Sequence, residues 1–98
     1  MIKKSYIMKW KLGLHARPSG QIMAEMKAFK LKTAKILYEN LTLDMNSIMS
    51  MLMSSLSEGE QFEVMLEGPD EKKAFEFINR IFSSESEEVL YGPTRKKD

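Results

Sequence analysis

In the first ten residues polar and apolar side chains alternate, with Lys4, Tyr6, Met8 and Trp10 on one set of positions and Ser5, Ile7 and Lys9 on the other. A period of two predicts a strand whose Tyr6 and Met8 face a core. From residue 16 the period changes: Ile22, Met23, Met26 and Phe29 fall at helical spacing, with Glu25, Lys27 and Lys30 left for solvent, which predicts a helix over residues 16–29. Ala34, Ile36 and Tyr38 alternate with Lys35 and Leu37, and Leu41, Leu43 and Met45 alternate again after Glu39 and Asn40. Two strands in a hairpin follow. Asn40 is the expected turn residue, because asparagine tolerates a positive φ better than other non-glycine residues.

Ser47 can cap a second helix over residues 48–55, a short segment that is nearly all apolar. Residues 60–67 read as a strand, with Phe62, Val64 and Leu66 on one face and Gln61, Glu63, Met65 and Glu67 on the other. Pro69 and the acidic residues after it open a last helix, with apolar positions at Ala74, Phe75, Ile78 and Ile81 or Phe82 and an end near Ser83. The remainder, SSESEEVLYGPTRKKD, runs from acidic to basic without a period and reads as a flexible polar tail over residues 84–98. The order is strand, helix, strand, strand, helix, strand, helix. Its one-faced strands and striped helices fit a two-layer α+β domain over residues 1–83, with the helices on one side of a mainly antiparallel sheet.

Composition narrows the possible activities. Ninety-eight residues with 43% hydrophobic content build one modest core. Fifteen Lys and Arg against 14 Asp and Glu give no global field to draw the chain to nucleic acid or to an anionic membrane. Cysteine is absent, which excludes disulfides, thiolate metal sites and thiol catalysis. No apolar run approaches the roughly 18 residues needed to span a bilayer, and the alternating first ten residues do not form a signal-peptide core. A cytoplasmic protein without membrane insertion is expected.

The candidate chemistry lies in GLHARPSG, residues 13–20, which holds the only histidine. His15 precedes the first helix, and Pro18 suits a first turn, where its missing N–H costs no bond. The opening amides of a helix lack internal acceptors and carry the positive end of its dipole, so a phosphate at His15 would meet several N–H donors. Arg17 adds a cation whose forked donors match phosphate oxygens. A histidine nucleophile beside such a cradle suits phosphoryl relay. Neither a second histidine, a carboxylate pair nor a metal cluster is grouped with it in the sequence, so the site is suited to accept and release a group, with no cofactor or metal. The bland reading of His15 is a surface residue before a helix.

GLHARPSG resembles the active-site signature of the HPr family, the histidine-containing phosphocarriers of the bacterial sugar phosphotransferase system. NSIMSMLMSSLSEGEQFEV resembles that family's serine-site helix and following strand, in the same order and about the same spacing. The resemblance covers about residues 1–83 and implies an open-faced β-sandwich, four antiparallel strands with three helices on one face. By position it implies that His15 is phosphorylated, that Arg17 stabilises the phosphate, and that the backbone at Ala16 and Arg17 donates to its oxygens. It also implies a monomeric shuttle that accepts phosphate from enzyme I and passes it to enzyme II A domains. Ser47 matches the serine modified by HPr kinase/phosphorylase, a mark that can create a surface for a transcription factor; as a plain helix cap it needs no such role. Asn46 and Ser50 depart from the basic residue and the glycine frequent around that serine.

A two-turn helix that is apolar all round cannot hide every face under one sheet, so some of Met49, Met51, Leu52 and Met53 are expected to stay exposed as a docking patch. The competing reading packs these side chains as core. Trp10 either shields the active loop or ends the first strand. Two functions follow: a phosphocarrier in sugar transport, or a regulatory protein of the same fold read by a kinase or transcription factor. The intact histidine favours the first.

Overall fold

The computed structural model describes residues 1–91. Four strands, β1 (Ile2–Ile7), β2 (Thr33–Tyr38), β3 (Leu41–Asp44) and β4 (Gln61–Glu67), form one antiparallel sheet in the order β1-β4-β2-β3. Three α-helices, α1 (Ala16–Met26), α2 (Ile48–Leu52) and α3 (Glu71–Phe82), complete the expected βαββαβα order, and a 3-10 helix, Glu87–Tyr91, follows.

Strand β4 holds the centre because its alternation is strictest. Phe62, Val64 and Leu66 are buried while the residues between them stay at least partly exposed. It pairs Tyr6 with Phe62 on one side and Ile36 with Val64 on the other, so same-face apolar residues of three strands meet in register. Burial outlasts the strand ladder at both expected ends: Met8 and Trp10 keep the inward phase after β1 stops, and Met45 keeps it after β3 stops.

Helix α3 buries Ala74, Ile78 and both Ile81 and Phe82, with Phe75 half-buried. Phe82 is the hub of an aromatic cluster. It lies 5.0 Å from the stacked ring of Trp10, 4.9 Å edge-on from Phe62 and 5.7 Å from Tyr6. Such contacts add to the area these rings remove from water.

Four features differ from expectation. Helix α2 ends at Leu52, short of the expected residue 55, with Met53 as its C-cap. Helix α1 ends at Met26, because the chain beyond it is held by tertiary contacts: Lys30 N–H donates to Asp70 Oδ2 at 2.7 Å and Lys32 N–H to the Glu67 carbonyl at 2.7 Å. Phe29 stays packed on the core, 6.3 Å from Phe77, without being helical. In the β2–β3 turn the positive φ of 54° falls on Glu39, not on the expected Asn40. The flexible tail expected from residue 84 does not begin there: the 3-10 helix buries Leu90 and packs Val89 and Tyr91 against the core. Residues 92–98 of that expected tail lie outside the described residues.

Candidate functional site

The loop that carries His15 is built on a close backbone approach. Gly13 has φ +65°, and a Cβ there would sit 2.3 Å from the Leu56 carbonyl oxygen. Only glycine allows this crossing. The adjacent Leu14 N–H donates to that same oxygen at 3.0 Å, and Gly13 N–H donates to the Trp10 carbonyl at 2.9 Å. Trp10 is 1% exposed and its ring stacks on Phe82, which fixes the chain just before the loop. Leu14 is buried, which plants the chain one residue before His15.

His15 takes the N-cap position of α1 with extended backbone and makes no side-chain cap hydrogen bond. Pro18 is buried in the first turn. With no side-chain cap, the Ala16 and Arg17 amides keep the acceptor-free state of a helix start.

The 3-10 helix forms the opposite wall. Lys11, His15 and Arg17 line one side of a depression, and Glu85, Glu87 and Glu88 the other. Glu87 Oε1 lies 2.7 Å and Oε2 3.0 Å from His15 Nε2. An ionised carboxylate only accepts, so against one Nε2 makes this bond as the protonated nitrogen. Tyr91 donates its hydroxyl to Glu87 Oε2 at 2.7 Å, and the Arg17 guanidinium lies 3.7 Å from the centre of the Tyr91 ring. Burial first, and the bond to Glu87 second, push the Tyr91 hydroxyl's pKa well up, so it remains a donor at neutral pH. Sequence reasoning placed His15 and Arg17 together but missed Glu87 and Tyr91. The available signal was the apolar triplet Val89-Leu90-Tyr91 behind two glutamates, a pattern a solvated tail has no use for.

Helix α2 sorts the methionines. Met49 and Met53 are 66% and 76% exposed, one helical turn apart, and Leu52 is partly buried. Met51, expected in the docking patch, is fully buried and packs in the core. The physical reason is geometric: in a five-residue helix laid on a sheet, one position points straight down while its neighbours two away point out. Ser47 caps this helix, accepting from Ser50 N–H at 3.1 Å, and Ser50 Oγ accepts from Asp44 N–H at 2.8 Å. Ser50, a departure from the family's usual glycine, is thus part of the junction between β3 and α2.

A histidine at a helix start, on an open-faced sandwich of this strand order, defines a class of small phosphocarriers. The chain matches the family model for the PTS HPr component phosphorylation site over residues 2–84 and belongs to the HPr family. It is similar to phosphocarrier protein NPr of Escherichia coli (strain K12), 30% identical over 83 residues that cover 85% of this chain and 92% of NPr. It is also similar to phosphocarrier protein HPr of Lysinibacillus sphaericus, 35% identical over 74% of this chain and 81% of that protein. Among solved structures, HPr-C-His of Thermoanaerobacter tengcongensis aligns with a TM-score of 0.79 at 26% identity, covering 87% of this chain and 94% of the other.

Proposed function

We propose that His15 accepts a phosphoryl group from enzyme I and passes it to enzyme II A domains, so that the protein is a cytoplasmic shuttle and not a catalyst. The observation that carries this reading is the ring's placement. His15 stands at the start of α1 with Nε2 engaged by Glu87, and among the described residues Nδ1 has no hydrogen-bond partner. Nδ1 is then the attacking atom: its lone pair forms the new N–P bond while the donor's bond to phosphorus breaks.

Arg17 neutralises the phosphate charge, and the Ala16 and Arg17 amides donate to its oxygens. Met49 and Met53 offer flexible apolar contact to partner proteins, with Leu52 at the edge of that surface. Among the described residues no helix is long and apolar enough to cross a membrane.

A regulatory reading has its own observation, a serine at the head of the exposed methionine face. Phosphorylation of Ser47 by an HPr kinase/phosphorylase would place a dianion beside Met49 and oppose docking or recruit a transcription factor. Onward transfer separates the two. Protein charged by enzyme I and phosphoenolpyruvate, then mixed with an enzyme II A domain, passes its phosphate on if it serves transport; phosphate retained on the carrier with every A domain of the same cell overturns that part of the reading in favour of regulation.

A further inference from the structure

We propose that Glu87 is a positioning residue for phosphoryl transfer: through the bond from His15 Nε2–H it holds the ring in the tautomer and orientation that leave the Nδ1 lone pair free. The inference rests on the phosphocarrier reading of His15. It concerns a segment beyond residue 84, where the match to the family model ends.

Three features of the geometry support it. The bond from Nε2 is short, 2.7 Å to Glu87 Oε1, with the second oxygen at 3.0 Å, so the ring plane is held by both oxygens of the carboxylate. Glu87 is itself held, since Tyr91 donates to Oε2 at 2.7 Å and its side chain is 15% exposed against 32% for His15. The 3-10 helix that carries both residues is anchored by Leu90, 3% exposed in the core. A neutral imidazole has one protonated and one free nitrogen, and the partner of one nitrogen sets the state of the other.

The step balances with this assignment. Neutral His15 attacks through Nδ1, the donor atom keeps the electron pair of the bond to phosphorus that it loses, and Nε2 retains its proton. The phosphorylated ring consequently gains positive charge, and Glu87 lies at the nitrogen where that charge and the proton are shared. On discharge the pair returns to Nδ1 and the starting tautomer is restored without a proton leaving the ring.

The opposite effect is physically available, since a carboxylate beside the nucleophile could repel an incoming phosphoryl group, and the test distinguishes the two. Glu87→Ala removes the acceptor while keeping the Leu90 anchor, and Tyr91→Phe removes only the hydroxyl that holds Glu87. Ring 15N chemical shifts of His15 at alkaline pH should report Nε2–H almost alone in wild type and a marked Nδ1–H population in Glu87→Ala. Initial rates of phosphate uptake from enzyme I should fall about tenfold in Glu87→Ala and severalfold in Tyr91→Phe, with Glu87→Gln, a neutral acceptor, in between. Unchanged ring shifts, or uptake equal to or faster than wild type in Glu87→Ala, would overturn the proposal. Wild-type protein that took no phosphate at all would instead overturn the carrier reading, and the ring shifts would still report whether Glu87 sets the tautomer.

Discussion

Substituting Gly13 by alanine should damage both stability and transfer, while the same change at Gly59 should touch only stability. At Gly13 the new Cβ would lie 2.3 Å from the Leu56 oxygen and 3.0 Å from Ser57 Cα. Since carbon contacts under 3.0 Å are essentially not tolerated, the loop must retreat by roughly 0.7 Å. That retreat strains the 3.0 Å bond from Leu14 N–H to Leu56, worth about 1 kcal/mol, and alanine at φ +65° adds roughly 1–2 kcal/mol. The expected loss is about 2–3 kcal/mol. Gly59 has φ +89° with nothing within 4 Å of a new Cβ, so Gly59→Ala should lose only about 1–2 kcal/mol. Because His15 follows the displaced loop by two residues, uptake of phosphate from enzyme I should slow at least about tenfold in Gly13→Ala and stay normal in Gly59→Ala. Urea unfolding and initial-rate phosphorylation measure the two effects. Equal destabilisation by both substitutions, or normal transfer in a folded Gly13→Ala protein, would refute the argument that this crossing places the histidine.

Arg17→Ala should slow uptake roughly 10- to 100-fold, the value of one charge-assisted phosphate contact, and lose no more than about 0.5–1 kcal/mol of stability, since the exposed side chain gives up only its contact with the Tyr91 ring. Ser47→Ala should lose about 0.5–2 kcal/mol in thermal unfolding, whereas Ser47→Asp should keep the cap but accept phosphate more slowly if this helix docks enzyme I. The Tyr38 hydroxyl donates to Glu60 at 2.6 Å, a bond that is the first cause of both the lowered Glu60 pKa and the Tyr38 pKa pushed up to about 12. For Glu60, stabilisation is present above its unfolded value and lost as pH falls through the depressed folded one; for Tyr38 it is present below about 10 and lost as pH rises to about 12. Tyr38→Phe should therefore flatten both arms of the stability–pH curve in part, leaving on the alkaline side the shares of Tyr6 and Tyr91, both raised first by burial, and on the acid side those of Glu71 and of the Ser57 N–H bond to Glu60.

The parts of this molecule that could be read from its sequence are those where one face is buried and the other is wet. Strand β4 and helix α3 announce themselves because Val64 and Leu66, or Ala74 and Ile78, recur at the period of the element they build. The active loop was legible because Pro18 suits a helix start and His15 precedes it. Helix α2 was not resolved residue by residue: its five residues carry no charge to mark which side faces the sheet, and the one polar side chain, Ser50, is taken up by the Asp44 N–H instead of marking a solvent face. The turn was misplaced by one residue because tertiary pairing of Tyr38 with Leu41 sets the loop length, and Glu39 then takes the positive φ. Glu87 was invisible for a different reason. Its role comes from a contact to His15 across 72 positions, and within its own stretch it is one glutamate among several.

The central claim is that His15 carries the phosphoryl group. Intact-mass analysis after incubation with enzyme I and phosphoenolpyruvate tests it most directly, run on wild type and on His15→Ala and repeated after brief acid treatment. Wild type should gain a single phosphoryl group that acid removes, as a phosphorus–nitrogen bond requires, and His15→Ala should gain none. A phosphoryl group that survives acid, or one that appears equally on His15→Ala, would contradict the account.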